Sequence, residues 1–310
     1  MNTHSRNLCD KDVLARVKPV TLDRYRAAIT TLASWGIAEG FAPQNAEEWD
    51  DLLMEFKRQE CPTKSQFISL VSALEFAVPK IKHQLPWSRA ALSGWARRVK
   101  VRHTVPLTRR PAYLVGLMLA HRQRRRLGLG VILQTHLGLR PSELLALLPE
   151  HMLFPEDQGE RAAASTPLIF SLGLKGGTKS QREQVVTLSP EHVLLWKALR
   201  ALKRHTPCGY YLFPYTLATY RAELKAVEAA LKVKMGWGPH SPRAGFATDL
   251  RLGGVPFTEI RERGRWVSDS SLRVYLDILG ASSAVRAMRL QGLGPLLDQA
   301  ERSWAEYFCS

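Results

Sequence analysis

Four side chains in the last quarter of the sequence are of the types needed to hold and attack a phosphodiester. His240 and Arg243 form an HxxR pair, and Trp266 is followed nine residues later by Tyr275. A guanidinium neutralises non-bridging phosphate oxygens, an imidazole titrates near neutral pH, an indole N–H adds a donor, and a phenol is a nucleophile for phosphorus. Each also has a plainer explanation. A histidine before a helix cap is commonly a satisfied core group, HxxR recurs by chance, and Trp266 and Tyr275 would serve equally as packed aromatics.

Upstream, Arg140 opens the segment RPSELLALLP. Pro141 suits the first helical position, so Arg140 stands at a helix start, where a guanidinium beside free backbone amides would bind a phosphate oxygen. Taken alone, such an arginine is ordinarily a solvated or structural residue. Glu143 reads equally as a first-turn acid or as the acceptor that orients Arg140 or a nearby imidazole. A Gly/Lys turn, LKGGTKSQRE, carries Lys175 and Lys179. Turn lysines are ordinarily just exposed, but one that enters a DNA minor groove would protonate a departing 5′ oxygen.

These residues need elements to carry them. Residues 1–20 show no periodicity and read as a mobile arm, and residues 21–98 as a small helical domain. Its helices are expected from Thr21 to a stop at Gly36, over Ala46–Arg58, over Ser65–Val78 and over Ser88–Arg98, with Trp35, Trp49, Phe56 and Phe67 as core. Residues 99–110 read as an extended basic linker, and Arg97, Arg98, Lys100, Arg102, Arg109 and Arg110 around it as phosphate contacts. Residues 111–310 then form the domain that holds the site. Helices are expected over Pro111–Arg126, over Leu127–Leu139 and after Arg140, where Leu144, Leu145, Leu147 and Leu148 make a buried stripe. Two strands, Pro167–Leu172 and Gln184–Leu188, flank the lysine turn, and helices resume over Ser189–His205 and Leu217–Lys234. Shorter helices follow: one begun by Ser241 and Pro242, one from Thr258 to Gly264, and one that carries Tyr275. A terminal amphipathic helix starts near Pro295. The fold class is mainly α with a small antiparallel β-sheet (α+β).

Composition narrows the partner. The 310 residues are 45% hydrophobic, enough for folded cores, and 44 Lys and Arg against 28 Asp and Glu leave a net charge of +16. That excess points to a polyanion, most simply nucleic acid. No apolar run approaches a membrane span, the first residues are not a signal peptide, and Cys9, Cys61, Cys208 and Cys309 lack zinc or disulfide spacing, which points to an intracellular setting.

The order of these features, Arg, turn Lys, HxxR, Trp plus nine, Tyr, resembles the catalytic domain of the tyrosine recombinase (phage integrase) family. The matching stretches are HLGLRPSELLAL, LKGGTKSQREQVVTL, PHSPRAGFATDL and GRWVSDSSLRVY, over about Pro106–Leu279, while the N-terminal domain is similar to the family's core-binding domain only in size, helix count and position. Pro242 and Ala244 depart from the family's usual Leu and His. The resemblance implies that Arg140 and Arg243 clamp the scissile phosphate, that His240 and Trp266 complete its shell, and that Glu143 supports them. It implies attack by Tyr275 to give a 3′-phosphotyrosyl link, with Lys179, or else Lys175, as general acid, and neither metal nor other cofactor. It also implies double-stranded DNA as partner, in a homo-tetramer to which residues 290–308 would contribute by docking on a neighbour, intramolecular packing being the alternative. Competing expectations are a type IB topoisomerase, a catalytically silent DNA-binding remnant of a mobile element and a basic RNA-binding protein. Integration, resolution and transposition are not separated.

Overall fold

The apolar residues at helical spacing in the first hundred residues do close into helices. The computed structural model describes residues 10–60, 62–98, 104–158, 165–173, 183–276 and 278–309. The chain divides into two compact units, Met1–Arg102 and His103–Ser310. In the first, Asp10 caps a short helix α1 (Lys11–Leu14) inside the stretch that lacked periodicity, and α2 (Pro19–Ala38), α3 (Ala46–Glu60), α4 (Lys64–Ala77) and α5 (Pro86–Arg98) follow. Thr63 and Gln66 start α4 with reciprocal side-chain-to-backbone bonds. The buried carboxylate of Asp50 accepts from the amides of Trp87 and Ser88, tying α3 to the start of α5. Gly36 does not stop its helix. It lies within α2, where Leu52 would stand 3.1 Å from a Cβ, so it is a helix-crossing residue. Phe56 and Phe67 are buried and Trp35 and Trp49 pack on them, as expected of core aromatics.

The second unit is built on α6 (Arg109–His121) and α7 (Arg125–Leu137). A Cβ on Gly128 would lie 2.3 Å from the carbonyl oxygen of Gly116, so these helices meet backbone to backbone. Residues 122–124 separate the two helices earlier than the expected end of the first at Arg126, and Arg122 and Arg124 there both pair with Glu223. A helix apolar on all sides belongs at a domain's centre, and α7 is buried from Leu127 to Thr135. Gly138, at φ 60, ends it and turns the chain into α8 (Pro141–Leu145), shorter than its leucine run implied. A three-stranded antiparallel sheet follows, β1 (Met152–Leu153), β2 (Leu168–Leu172) and β3 (Gln184–Leu188), with Phe170 opposite both Met152 and Val186. Helices α9 (Val193–Arg204), α10 (Leu217–Ala230), α11 (Ser241–Leu252), α12 (Phe257–Gly264), α13 (Asp269–Arg273), α14 (Ile278–Leu290) and α15 (Gly294–Ser303) complete the unit.

One expectation changes. The second half of the expected linker is core: Leu107 is fully buried and its amide donates to the Ser241 carbonyl at 2.9 Å. The C-terminal segment packs within its own unit, one of the two arrangements expected of it, with Leu297, Trp304 and Phe308 buried and Trp304 stacked 5.3 Å from Tyr113. Among the described residues no helix is long and apolar enough to cross a membrane.

Candidate active site

The site forms where three corners of the second unit meet. Gln134 on α7 joins two of them: its Nε2 donates to the carbonyls of Leu139 and Pro239, at 2.9 and 3.0 Å, and the buried Tyr220 hydroxyl donates to its Oε1. Those carbonyls directly precede Arg140 and His240, so one buried amide, fully satisfied, sets both residues.

Arg140 is the cap of α8 and is largely buried. Its backbone amide donates to Glu143 Oε2 at 2.8 Å, so the helix start offers no free donor at that position. The guanidinium donates to Glu143 Oε1 at 2.6 Å and to the Arg265 carbonyl at 3.1 Å. Glu143 thus fills both roles open to it, first-turn acid and orienting acceptor. Burial alone would raise its pKa, but the Arg265 charge and the hydrogen bonds and charge of Arg140 outweigh burial and hold the carboxyl below its ordinary range.

Arg243, one residue into the first turn beyond Pro242 on α11, is 1% exposed. It donates to the carbonyls of Gly138 and Gly264, and its guanidinium carbon lies 4.1 Å from the centre of the Trp266 ring. Burial, then the like charges of Arg140 and Arg265, pull its pKa down to about 9, which leaves it a cation at neutral pH. A buried cation under that pressure favours an anionic ligand.

Trp266 is buried and faces the Tyr275 ring at 5.5 Å between centroids, and the exposed His240 ring lies 6.4 Å from the same tyrosine. His240, Tyr275, Trp266 and Arg243 therefore form a continuous series of contacts. Tyr275 does not lie on the helix expected to carry it. It sits in the turn after α13, half-buried, where its amide donates to the Leu272 carbonyl at 2.8 Å and its carbonyl accepts from Thr248 of α11 at 3.3 Å. Lys175 and Lys179 lie outside the described residues.

One member of the cluster has no sequence signature. Arg265 ends α12 with φ 58 and ψ 42, a left-handed conformation that costs a non-glycine residue roughly 1–2 kcal/mol. Its Nη2 donates to Glu143 Oε2 at 2.9 Å and its Nη1 to the Gln184 side chain of β3 at 3.3 Å.

The other basic residues divide. Arg97 and Arg98 are exposed at the end of α5, and Lys100 and Arg102 lie outside the described residues. Arg110 is engaged by Asp298 and Glu301 of α15, an arrangement that accounts for it structurally. The Arg109 amide donates to Asp249 at 2.8 Å, and its side chain borders a cavity of about 520 Å³ with His136, His192 and Arg265.

The Tn1549 transposon integrase in complex with transposon right end DNA superposes with a TM-score of 0.60 at 14% identity, over 91% of this chain and 96% of that one. The chain has the fold of the tyrosine recombinases. The recombinase fold is shared likewise with a lambda integrase dimer bound to a COC′ core site, at TM-score 0.54 and 15% identity over 90% of this chain and 96% of that one. XerH site-specific recombinase on its palindromic difH substrate gives 0.50 at 15% identity, over 75% and 68%. No protein-family model and no curated protein sequence matches the chain.

Proposed function

We propose that the chain is a site-specific DNA recombinase that cuts and rejoins duplex DNA through a covalent tyrosyl intermediate. The carrying observation is the convergence of Arg140, Arg243, His240, Trp266 and Tyr275, drawn from segments up to 135 residues apart, in one cluster of contacts that holds two guanidiniums. The similarity in fold to integrases and recombinases solved on DNA supports the reading. Arg140 and Arg243 bind the non-bridging oxygens of the scissile phosphate, and His240 with Trp266 closes the shell. The Tyr275 phenol loses its proton and its oxygen bonds to phosphorus as the bond to the 5′ oxygen breaks. That oxygen takes a proton, with Lys179 as donor and Lys175 as the competing assignment. The phosphotyrosyl ester keeps the energy of the broken bond, so a second 5′ hydroxyl reverses the step on a new partner. Rejoining between partners calls for a synaptic assembly, a homo-tetramer on DNA.

The test offers the full chain a pool of nicked duplexes of randomised core sequence in EDTA. An SDS-stable protein–DNA adduct is expected, and Tyr275→Phe should abolish it. An adduct that persists in Tyr275→Phe, or one that requires a divalent metal, overturns the mechanism. Tight duplex binding with no adduct at any sequence favours a silent DNA-binding protein instead.

A further inference from the structure

The three-residue turn Gly264, Arg265, Trp266 touches each arginine of the clamp. The Gly264 carbonyl accepts from Arg243, the Arg265 carbonyl accepts from Arg140, and the Trp266 ring lies against Arg243. The Arg265 guanidinium reaches in the opposite sense, across 122 residues of sequence, to the carboxylate that Arg140 also uses. We propose that Arg265 is a positioning residue for strand cleavage: by sharing Glu143 with Arg140 it keeps that carboxylate ionised and holds the two-arginine clamp in register. The inference rests on the reading of the site as a phosphodiester-cleaving centre.

Three features carry it. First, Arg265 is the non-glycine residue at φ 58 in this turn, and glycine would make the same turn without strain, so what the arginine adds is its side chain. Second, that side chain is nearly enclosed, with 10% of its surface exposed, while the carboxylate it meets keeps 5%. A buried carboxylate between two guanidiniums stays ionised to lower pH than one beside a single guanidinium. Third, the charges match the reaction. Arg140, Arg243 and Arg265 around Glu143 leave a net charge of plus two. A phosphodiester carries one negative charge in the ground state and gains a second once the phenolic proton has left and oxygen adds to phosphorus. Removing Arg265 leaves a site that still suits the substrate but no longer matches the transition state, so cleavage should suffer more than binding.

Among the described residues, the charged groups that face Glu143 are Arg140 from its own corner, Arg265 from the turn after α12 and Arg243 from α11. Helices α7 and α10, which also pack on α8, supply no charged group that shifts it.

The experiment uses the full chain and the nicked duplex pool, with Arg265→Gly, which suits the left-handed turn, and Arg265→Lys. Arg265→Gly should slow adduct formation about tenfold or more at neutral pH while duplex affinity changes less than about threefold. Glu143, deprived of a cationic partner, should then hold its proton to higher pH, so the acid limb of the rate profile should move up by about one unit or more. Arg265→Lys should recover part of the rate. A rate within about threefold of the parent, an equal loss of rate and affinity, or an unmoved acid limb overturns the inference. A measurement without DNA separates this from the broader reading. In melting curves between pH 4 and 7, the acid-side loss of stability should begin at higher pH in Arg265→Gly than in the parent, and Glu143→Gln should remove that difference. If the parent forms no adduct, the recombinase reading fails and the melts still decide whether Arg265 keeps Glu143 ionised. If Arg265→Gly cleaves normally, only the inference falls.

Discussion

His136 on α7 has an Nδ1 sealed from solvent, and its Nε2 lies 3.1 Å from the Tyr113 hydroxyl. Burial, with the charges of Arg109 and His192 added, pushes its pKa from 6.5 down to about 3. Between those values the unfolded chain takes up a proton that the folded chain refuses, so stability is intact above pH 6.5 and falls as pH drops toward 3. At pH 5 the loss from this one group is about 2 kcal/mol. The second unit should therefore melt roughly 4–8 °C lower at pH 5 than at pH 7, and His136→Gln should flatten that difference in calorimetry. An unchanged slope would mean that the imidazole is already a cation in the fold. At this scale, legibility in the sequence follows chemistry. Arg140, Glu143, His240, Arg243, Trp266 and Tyr275 were visible because few residue types can bind or attack a phosphate and their order is distinctive. Arg265 and Gln134 were not, because an arginine after Gly264 reads as a solvated helix end and a glutamine inside an apolar run as an incidental polar residue. Their roles arise from contacts with Glu143 and Pro239, more than 100 residues away.

Elements were legible where their periodicity was long. The core helices and both strands around the lysine turn appear within a few residues of their expected ends. The two-residue β1 is too short to show alternation, and Tyr275 falls past α13 because that helix closes within five residues. What no pattern shows is how segments pass one another, and Gly245 is the sharpest case. A Cβ there would stand 1.8 Å from the Leu107 carbonyl oxygen and 2.4 Å from its carbon, both backbone atoms that cannot rotate away. Through this contact the stretch before α6 lies against α11, the helix that carries Arg243 and Thr248. Gly245→Ala should cost about 3 kcal/mol or more, lowering the melting temperature of the second unit by roughly 6–12 °C, and should weaken adduct formation with it. Gly94 in α5 has nothing within 4 Å of its would-be Cβ. Gly94→Ala should leave the fold intact or stabilise it by about 0.5–1 kcal/mol. Equal effects of the two changes would show that the Leu107 contact does not constrain α11.

For the whole molecule, the proposed function asks which of its 44 lysines and arginines would meet DNA. The net charge of +16 makes binding to a polyanion expected but assigns it to no surface. Sequence proximity grouped Arg97, Arg98 and Arg110 as phosphate contacts, and their surroundings now separate them. Arg97 and Arg98 are exposed on the last turn of α5, and both are free to release counterions from DNA, whereas Arg110 is held between Asp298 and Glu301. An arginine already paired with two carboxylates gains little from a phosphate, because it must give up those partners to reach it. The salt dependence of duplex affinity distinguishes the two situations, since each phosphate contact adds about 0.9 to the slope of log K against log salt. Charge removal at both Arg97 and Arg98 should therefore lower the slope by about 1.8, with a similar loss of affinity on every duplex tested. Arg110→Ala should leave the slope within about 0.3 of the parent. Its cost should appear instead in the melting of the second unit, because it removes the ion pairs that tie Asp298 and Glu301 of α15 to α6. A slope that falls with Arg110→Ala, or one unmoved by the loss of both Arg97 and Arg98, would reverse the assignment and place the DNA-facing charge at the start of α6.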